Sequence, residues 1–346
     1  MITLLIEKVS PVKPCGRIAN TFFAVAALVF CGPRVLLAED TPEFTQPFFL
    51  DAHQVEWGVS GSETGLQPHC YFQSQSLAPL FCDSEESHYQ HDLEQNWQIL
   101  PSGLMYRSYL AGDKEPRFQF LPMVNTKGGS VLETAMGGRV GLLRYGTYDS
   151  MMPEGWQLDM EGGVLARLDA ERQWDLQAAD FRVGFLSTWR QGPDSFKAGY
   201  YHISSHIGDE FLIANPGFVR LNYVRDSLIV GWTHDLTIDL QVYGEIGYAF
   251  NYDGGALPLE FQLGAQYSPT CATGFRGAPF SAVNLHIRED YNFATSINLA
   301  TGWQWRGMES DHRFRVGLQC FSGPSSQYSF GNQHETLVGG GVWFDF

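Results

Sequence analysis

The residues best equipped for chemistry lie together in the run Tyr200-Tyr201-His202-Ile203-Ser204-Ser205-His206-Ile207-Gly208-Asp209-Glu210. His202, Ser204 and His206 share one parity. Side chains of a strand alternate between its two faces, so these three project from the same face. A serine hydroxyl is a weak nucleophile until a neighbouring base takes its proton, and imidazole is the usual base. Ser204 as nucleophile with His202 as base is an acyl-transfer pattern, and it needs a third group to fix the imidazole tautomer. His206 is an auxiliary residue on that face. Arg220, Arg225 and Asp226 form a second polar group, suited to clamping a phosphate or carboxylate, or to an ion pair at a strand end. The competing chemistry is a metal held by His202, His206, Asp209 and Glu210. Two histidines four apart on a strand are about 13 Å apart, too far to share one ion at bonds of about 2 Å. That reading needs a turn between them. In the plainest reading, His202 and His206 are polar residues at a membrane interface that hydrogen-bond their neighbours.

The face that carries the trio also carries Phe196, Ala198 and Tyr200, so the polar group ends an oily stripe. The same alternation recurs along the chain. In 156–168, Trp156, Leu158, Met160, Val164 and Leu168 oppose Gln157, Asp159, Glu161 and Arg167. In 238–250, Ile238, Leu240, Val242, Ile246, Tyr248 and Phe250 oppose Asp239, Gln241, Tyr243 and Glu245. Segments 295–305 and 313–321 repeat it. Further strands are expected at 101–111, 132–145, 178–190, 195–206, 227–235, 258–268, 280–289 and 337–346. The oily faces approach the 9–11 residues that a tilted strand needs to cross a bilayer, and the charged faces suit a wet lumen. No stretch after the N-terminal segment is an apolar run of about 20 residues, which excludes helical spans. These features predict an all-β fold, a transmembrane antiparallel β-barrel of about twelve strands with a short irregular N-terminal segment. A soluble sandwich is the alternative. A barrel of this size is narrow enough for side chains largely to fill it. Lumenal Asp159, Glu161, Asp239 and Glu245 then either tune a narrow channel or binding barrel, or pair with Arg139, Arg167, Arg182, Arg313 and Arg315. A structural barrel without catalysis is the third possibility.

The chain has 22 Lys+Arg against 38 Asp+Glu. Lys8, Lys13 and Arg17 precede an apolar stretch from Ile18 to Cys31, and Ala38 is a plausible cleavage point. Residues 1–38 therefore read as a signal peptide for secretion to the periplasm. Without its four basic residues and one acidic residue the net charge falls from −16 to −19, which leaves no basic surface for nucleic acid. Residues 39–100 lack sustained alternation and read as a periplasmic lead-in or cap, with 101–346 as the barrel. Of the cysteines, Cys70 and Cys82 are spaced to close a small loop. Cys271 and Cys320 form a second possible pair, and the pairing stays open.

Three resemblances add to this. The ending Leu337-Val338-Gly339-Gly340-Gly341-Val342-Trp343-Phe344-Asp345-Phe346 resembles the assembly signal of bacterial outer-membrane barrels. That implies a membrane insertion signal in Val342, Phe344 and Phe346, read by the outer-membrane barrel assembly machinery. His202-x-Ser204 followed by Asn222 in Arg220-Leu221-Asn222-Tyr223-Val224-Arg225 resembles the outer-membrane phospholipase A family. Its serine, histidine and asparagine lie on the outer wall of a twelve-stranded barrel. This implies Ser204 as nucleophile, His202 as base, Asn222 as orienter, membrane lipid as partner and calcium as cofactor. The residue after Ser204 is Ser205, where that family has Asn and then Gly. Leu100-Pro101, Gly103-Leu104-Met105-Tyr106-Arg107-Ser108-Tyr109-Leu110-Ala111-Gly112 and Lys114-Glu115 resemble domain of unknown function 1207, an outer-membrane barrel family without an established activity. The run around His202 and the segment Arg220 to Asp226 do so as well.

Overall fold

The computed structural model describes residues 94–149, 151–307 and 310–346, all within a unit that runs from Cys70 to Phe346. The expected signal peptide, most of the expected lead-in segment, Cys70 and Cys82 lie outside the described residues. Thirteen strands are present: β1 (Asn96–Ile99), β2 (Phe118–Asn125), β3 (Ser130–Gly146), β4 (Gly155–Asp169), β5 (Asp175–Gln191), β6 (Asp194–Ile207), β7 (Val224–Asp235), β8 (Leu240–Asp253), β9 (Leu259–Tyr267), β10 (Ala278–Arg288), β11 (Ala294–Arg306), β12 (Arg313–Pro324) and β13 (His334–Asp345). From β2 to β13 each strand pairs antiparallel with the next, and β13 returns to pair with β2. The result is a closed twelve-stranded barrel with one extra strand, β1, on the end of β3.

Parity along each strand decides which way its side chains face. On β4, Gln157, Asp159 and Glu161 are buried while Met160 is exposed. On β12, Arg313 and Arg315 are buried while Phe314, Val316 and Leu318 are exposed. The exterior is thus an apolar band and the interior a charged one, the arrangement of barrels that stand in lipid. Asp239 is the exception among the expected lumenal acids. It falls in the turn before β8, where it accepts a bond from the Thr270 amide.

The strand expected at 101–111 is not a strand. Ile99 lies opposite Leu143, and Gln119 opposite Ala135. The chain thus spends twenty residues where β3 spends eight. The surplus leaves the wall between β1 and β2 and fills the lumen. Met105, Tyr106 and Tyr109 are fully buried there. Leu110 and Ala111 pack with Leu121, Met123, Phe280, Phe321, Leu337 and Trp343. Tyr109 stacks on Tyr243, with ring centroids 3.8 Å apart. The backbone of this plug is tied down by wall arginines and by its own Arg117. Arg144 donates to the Ser102 and Gly103 carbonyls at 2.8 and 2.9 Å, and Arg117 to those of Leu110 and Tyr109 at 2.8 and 2.6 Å. Lys114 pairs with Asp180.

The detour leaves part of β3 without a strand neighbour on one side. The terminal ring covers it: a Cβ on Gly138 would stand 2.6 Å from the ring of Phe346. Gly138→Leu is therefore expected to displace Phe346 and to destabilise the barrel by about 1–3 kcal/mol, as overpacking does. Urea unfolding in lipid vesicles reads this directly, and an unchanged midpoint would show that the ring does not seal the seam.

The opposite end, the mouth, is closed by loops. The helix α1 (Asp209–Ala214) and the segment after it bring Phe211 and Phe218 against Phe330 of a short helical turn, Tyr328–Phe330, with centroids 5.0–5.6 Å apart. These rings pack on Ala178 and Ile207 at the rim. Tyr223 stacks on Tyr328 at 4.6 Å, and burial pushes both hydroxyls well above their ordinary value. Between plug and wall, a lumenal cavity of about 30 Å³ is lined by Asp113, Glu133 and Gln327 among others. That is room for one or two waters.

Candidate functional site

β6 carries the site. Tyr201, Ile203 and Ser205 are buried, and Phe196 and His206 on the other face are exposed. His202 and Ser204 share that outward parity and are half-buried. Their cross-strand neighbours are Val183 and Asp226 for His202, and Phe181 and Val224 for Ser204. The outward surface around them on β5 is Phe181, Val183 and Phe185, all exposed.

The geometry centres on Asp226. His202 Nδ1 lies 2.8 Å from Asp226 Oδ1. The Tyr200 hydroxyl donates to the same oxygen at 2.6 Å, and Asn251 Nδ2 donates to Oδ2 at 2.6 Å. With an ionised carboxylate as partner, Nδ1 carries the proton and Nε2 is left as the base. This is the orientation that a serine nucleophile requires. Among the described residues, no side-chain hydrogen bond engages Ser204, so its hydroxyl is free to reorient. His206 sets its ring edge-to-face on Phe181, with centroids 5.7 Å apart.

Asn222 is not the partner of His202. It is exposed in the loop before β7, two residues beyond Val224, the residue opposite Ser204. Asp226 stands directly across from His202 instead. Arg225, expected beside the site, has the opposite parity. It is buried in the lumen, where it pairs with Glu260 at 3.4 Å and donates to the Pro258 carbonyl at 3.1 Å. Arg220 is exposed in the loop before β7. Asp209 and Glu210 are exposed in the first turn of α1. Among the described residues no three His, Cys, Asp or Glu side chains gather closely enough to hold a metal. With Asp226 already accepting on both oxygens, the residues present do not fit the implied calcium. Val342 and Phe344 lie on the outward face of β13, opposite Val316 and Phe314.

The residue that sequence reasoning missed is Asn251. On β8 the outward residues are Ile246, Tyr248 and Phe250, so parity sends Asn251 inward. A bulge reverses this. Asp226 pairs with Asn251 but Ser227 pairs with Ala249, so β8 holds one extra residue, Phe250. A bulge re-aims the side chains beyond it, and Asn251 turns out to meet Asp226.

A second outward His–Asp pair lies at the other end of the same two strands. His234 Nδ1 and Trp232 Nε1 both reach Asp194 Oδ1 at 2.9 Å. Its neighbour Ser195 is buried on the inner face, so this pair has no serine. Eight residues of β6 separate the two pairs, about 26 Å of strand, with Phe196, Ala198 and Tyr200 between them. Two polar pairs thus bracket the apolar stripe.

The cysteines are settled in part. Cys271 is disulfide-bonded and Cys320 is free, so these two do not pair with each other.

No curated protein matches the chain. Among solved structures it is similar to outer membrane phospholipase A from Escherichia coli, with TM-score 0.43 and 10% identity over 66% of this chain and 92% of that one. The calcium-bound dimer of the Salmonella typhi outer membrane phospholipase gives 0.43 and 10%, over 66% and 91%. An active-site mutant of the Escherichia coli enzyme gives 0.43 and 12%, over 74% and 94%. A family model described as a protein of unknown function, DUF1207, matches residues 91–346, and the chain belongs to that family.

Proposed function

We propose that this protein is a sealed barrel of the bacterial outer membrane that hydrolyses an acyl ester of membrane lipid on its outer wall. The observation that carries the reading is the 2.8 Å contact of His202 Nδ1 with Asp226 on the lipid-facing surface, two residues from Ser204. Ser204 Oγ attacks the ester carbonyl while His202 Nε2 takes its proton. The imidazolium, held by Asp226, returns that proton to the leaving alcohol, which departs as a lysolipid. Water then attacks the acyl-serine with His202 again as base, releasing the fatty acid and restoring Ser204. The filled lumen argues against a solute channel, since a pore needs a continuous wet path. Secretion to the periplasm and insertion by the barrel assembly machinery, through Val342, Phe344 and Phe346, complete the placement.

Purified protein in mixed micelles of detergent and phosphatidylethanolamine tests this by fatty-acid release. Ser204→Ala and His202→Ala are expected to lower the rate by roughly 10³-fold or more. Equal rates in wild type and both variants would remove the catalytic reading. A second reading has its own observation: the serine-less pair His234–Asp194 marks the opposite interface in the same manner. On that reading both pairs anchor the barrel in the headgroup layers, and wild type releases no fatty acid.

A further inference from the structure

Asp226 makes three side-chain hydrogen bonds, two to β6 on one side of it and one to β8 on the other. Tyr200 lies two residues before His202 on β6. His202 lies across the β6–β7 ladder. Asn251 belongs to β8, on the far side of β7, and reaches Asp226 through the bulge at Phe250. The first two bonds end on Oδ1, and the third alone holds Oδ2. A carboxylate gripped at one oxygen still rotates about its Cβ–Cγ bond; gripped at both it does not. Bulges are placed where a strand must re-aim a side chain, and this one presents one amide to one carboxylate.

We propose that Asn251 is a positioning residue of the Ser204–His202–Asp226 site, presented by the β8 bulge to fix the carboxylate that orients His202. The proposal rests on the hydrolytic reading for its consequence in catalysis, but the orientation of His202 is measurable without turnover. The amide contributes a donor and no charge, so Asp226 stays an ionised acceptor for Nδ1–H. Other titratable groups near His202 are few. Tyr200 and His206 share its face of β6, and Asp253 follows Asn251 on β8, opposite Val224. From β5 only Val183 and Phe181 face it.

The test is the titration of the His202 imidazole by NMR in micelles, beside the pH profile of fatty-acid release. Asn251→Asp sets a second carboxylate against Asp226, and its added negative charge is expected to raise the His202 pKa by about one unit or more. The acid limb of the rate profile then moves up with it. Asn251→Ala is expected to lower kcat about tenfold at unchanged KM, because an unfixed carboxylate misplaces the base. Asn251→Gln, whose longer amide keeps the donor, recovers part of that loss. Folding of each variant is read by heat-modifiable gel mobility. A His202 titration unmoved in folded Asn251→Asp would overturn the proposal, even with active wild type. Wild type without hydrolysis but with the shifted titration would overturn the catalytic reading and leave the positioning of His202 standing.

Discussion

Replacing Leu100–Arg117 by six strand-forming residues is expected to turn a non-conducting barrel into an open pore. Six is the number that the spacing on β3 leaves between Ile99 and Phe118. The new link would complete the interrupted stave and pair along the bare stretch of β3, so the wall gains hydrogen bonds. The lumen loses Met105, Tyr106, Tyr109, Leu110 and Ala111, all buried. Lys197 and Glu245, paired at 2.5 Å beneath Tyr106 and Tyr109, then face water, as do Asp180 and Asp345. A twelve-stranded barrel lies between those filled by side chains and those that hold an aqueous channel, so emptying it decides the matter. Wild type in planar bilayers is expected to give no single-channel steps, and the shortened variant resolved ones. A folded variant that stays silent would show that wall side chains, not the plug, close the lumen.

The second large effect is expected from Asp345→Ala. This carboxylate accepts from Arg315 at 2.6 and 3.1 Å and lies 3.4 Å from Arg117. All three are nearly excluded from solvent. Removing it takes the ion-pair partner from two buried guanidinium groups, a loss of about 3–5 kcal/mol. The cost reaches the plug, since Arg117 and Arg315 also bond the Leu110 carbonyl. A lowered urea midpoint is the readout. The paired change Arg315→Met with Asp345→Leu is expected to recover part of the loss, because an apolar pair replaces a broken ionic one. Equal stability of Asp345→Ala and wild type would show that water reaches this corner of the lumen.

Much of the wall was legible in the sequence because a barrel strand writes its two environments at alternate positions. Eleven of the twelve expected strands correspond to strands of the wall, and the outward parity of His202 and Ser204 follows from the same rule. Segment 101–111 misled for a physical reason. Its large residues, Met105, Tyr106, Tyr109 and Leu110, are oily at both parities, as in a packed core, and all four are buried in the lumen. The true first stave, β2, was hidden by Pro122, which ordinarily argues against a strand. Here the ladder to β13 skips Leu121 and Pro122: Met123 pairs with Gly339, and the next pair is Phe120 with Val342. Asn251 was invisible because a bulge breaks the parity that located everything else. Asp226 was visible as an acid, but its role depends on register across two strands, which no local pattern records.

If Ser204 is a nucleophile activated by His202, a serine-reactive fluorophosphonate carrying an alkyl chain will label it, with the adduct mapped by mass spectrometry on protein folded in micelles. The expected result is one adduct on Ser204, absent from His202→Ala, strongly reduced in Asp226→Ala and unchanged in an Ile297→Leu control on the outer face of β11. No adduct on wild-type Ser204, or an adduct that forms equally fast without His202, would show that His202 does not activate Ser204.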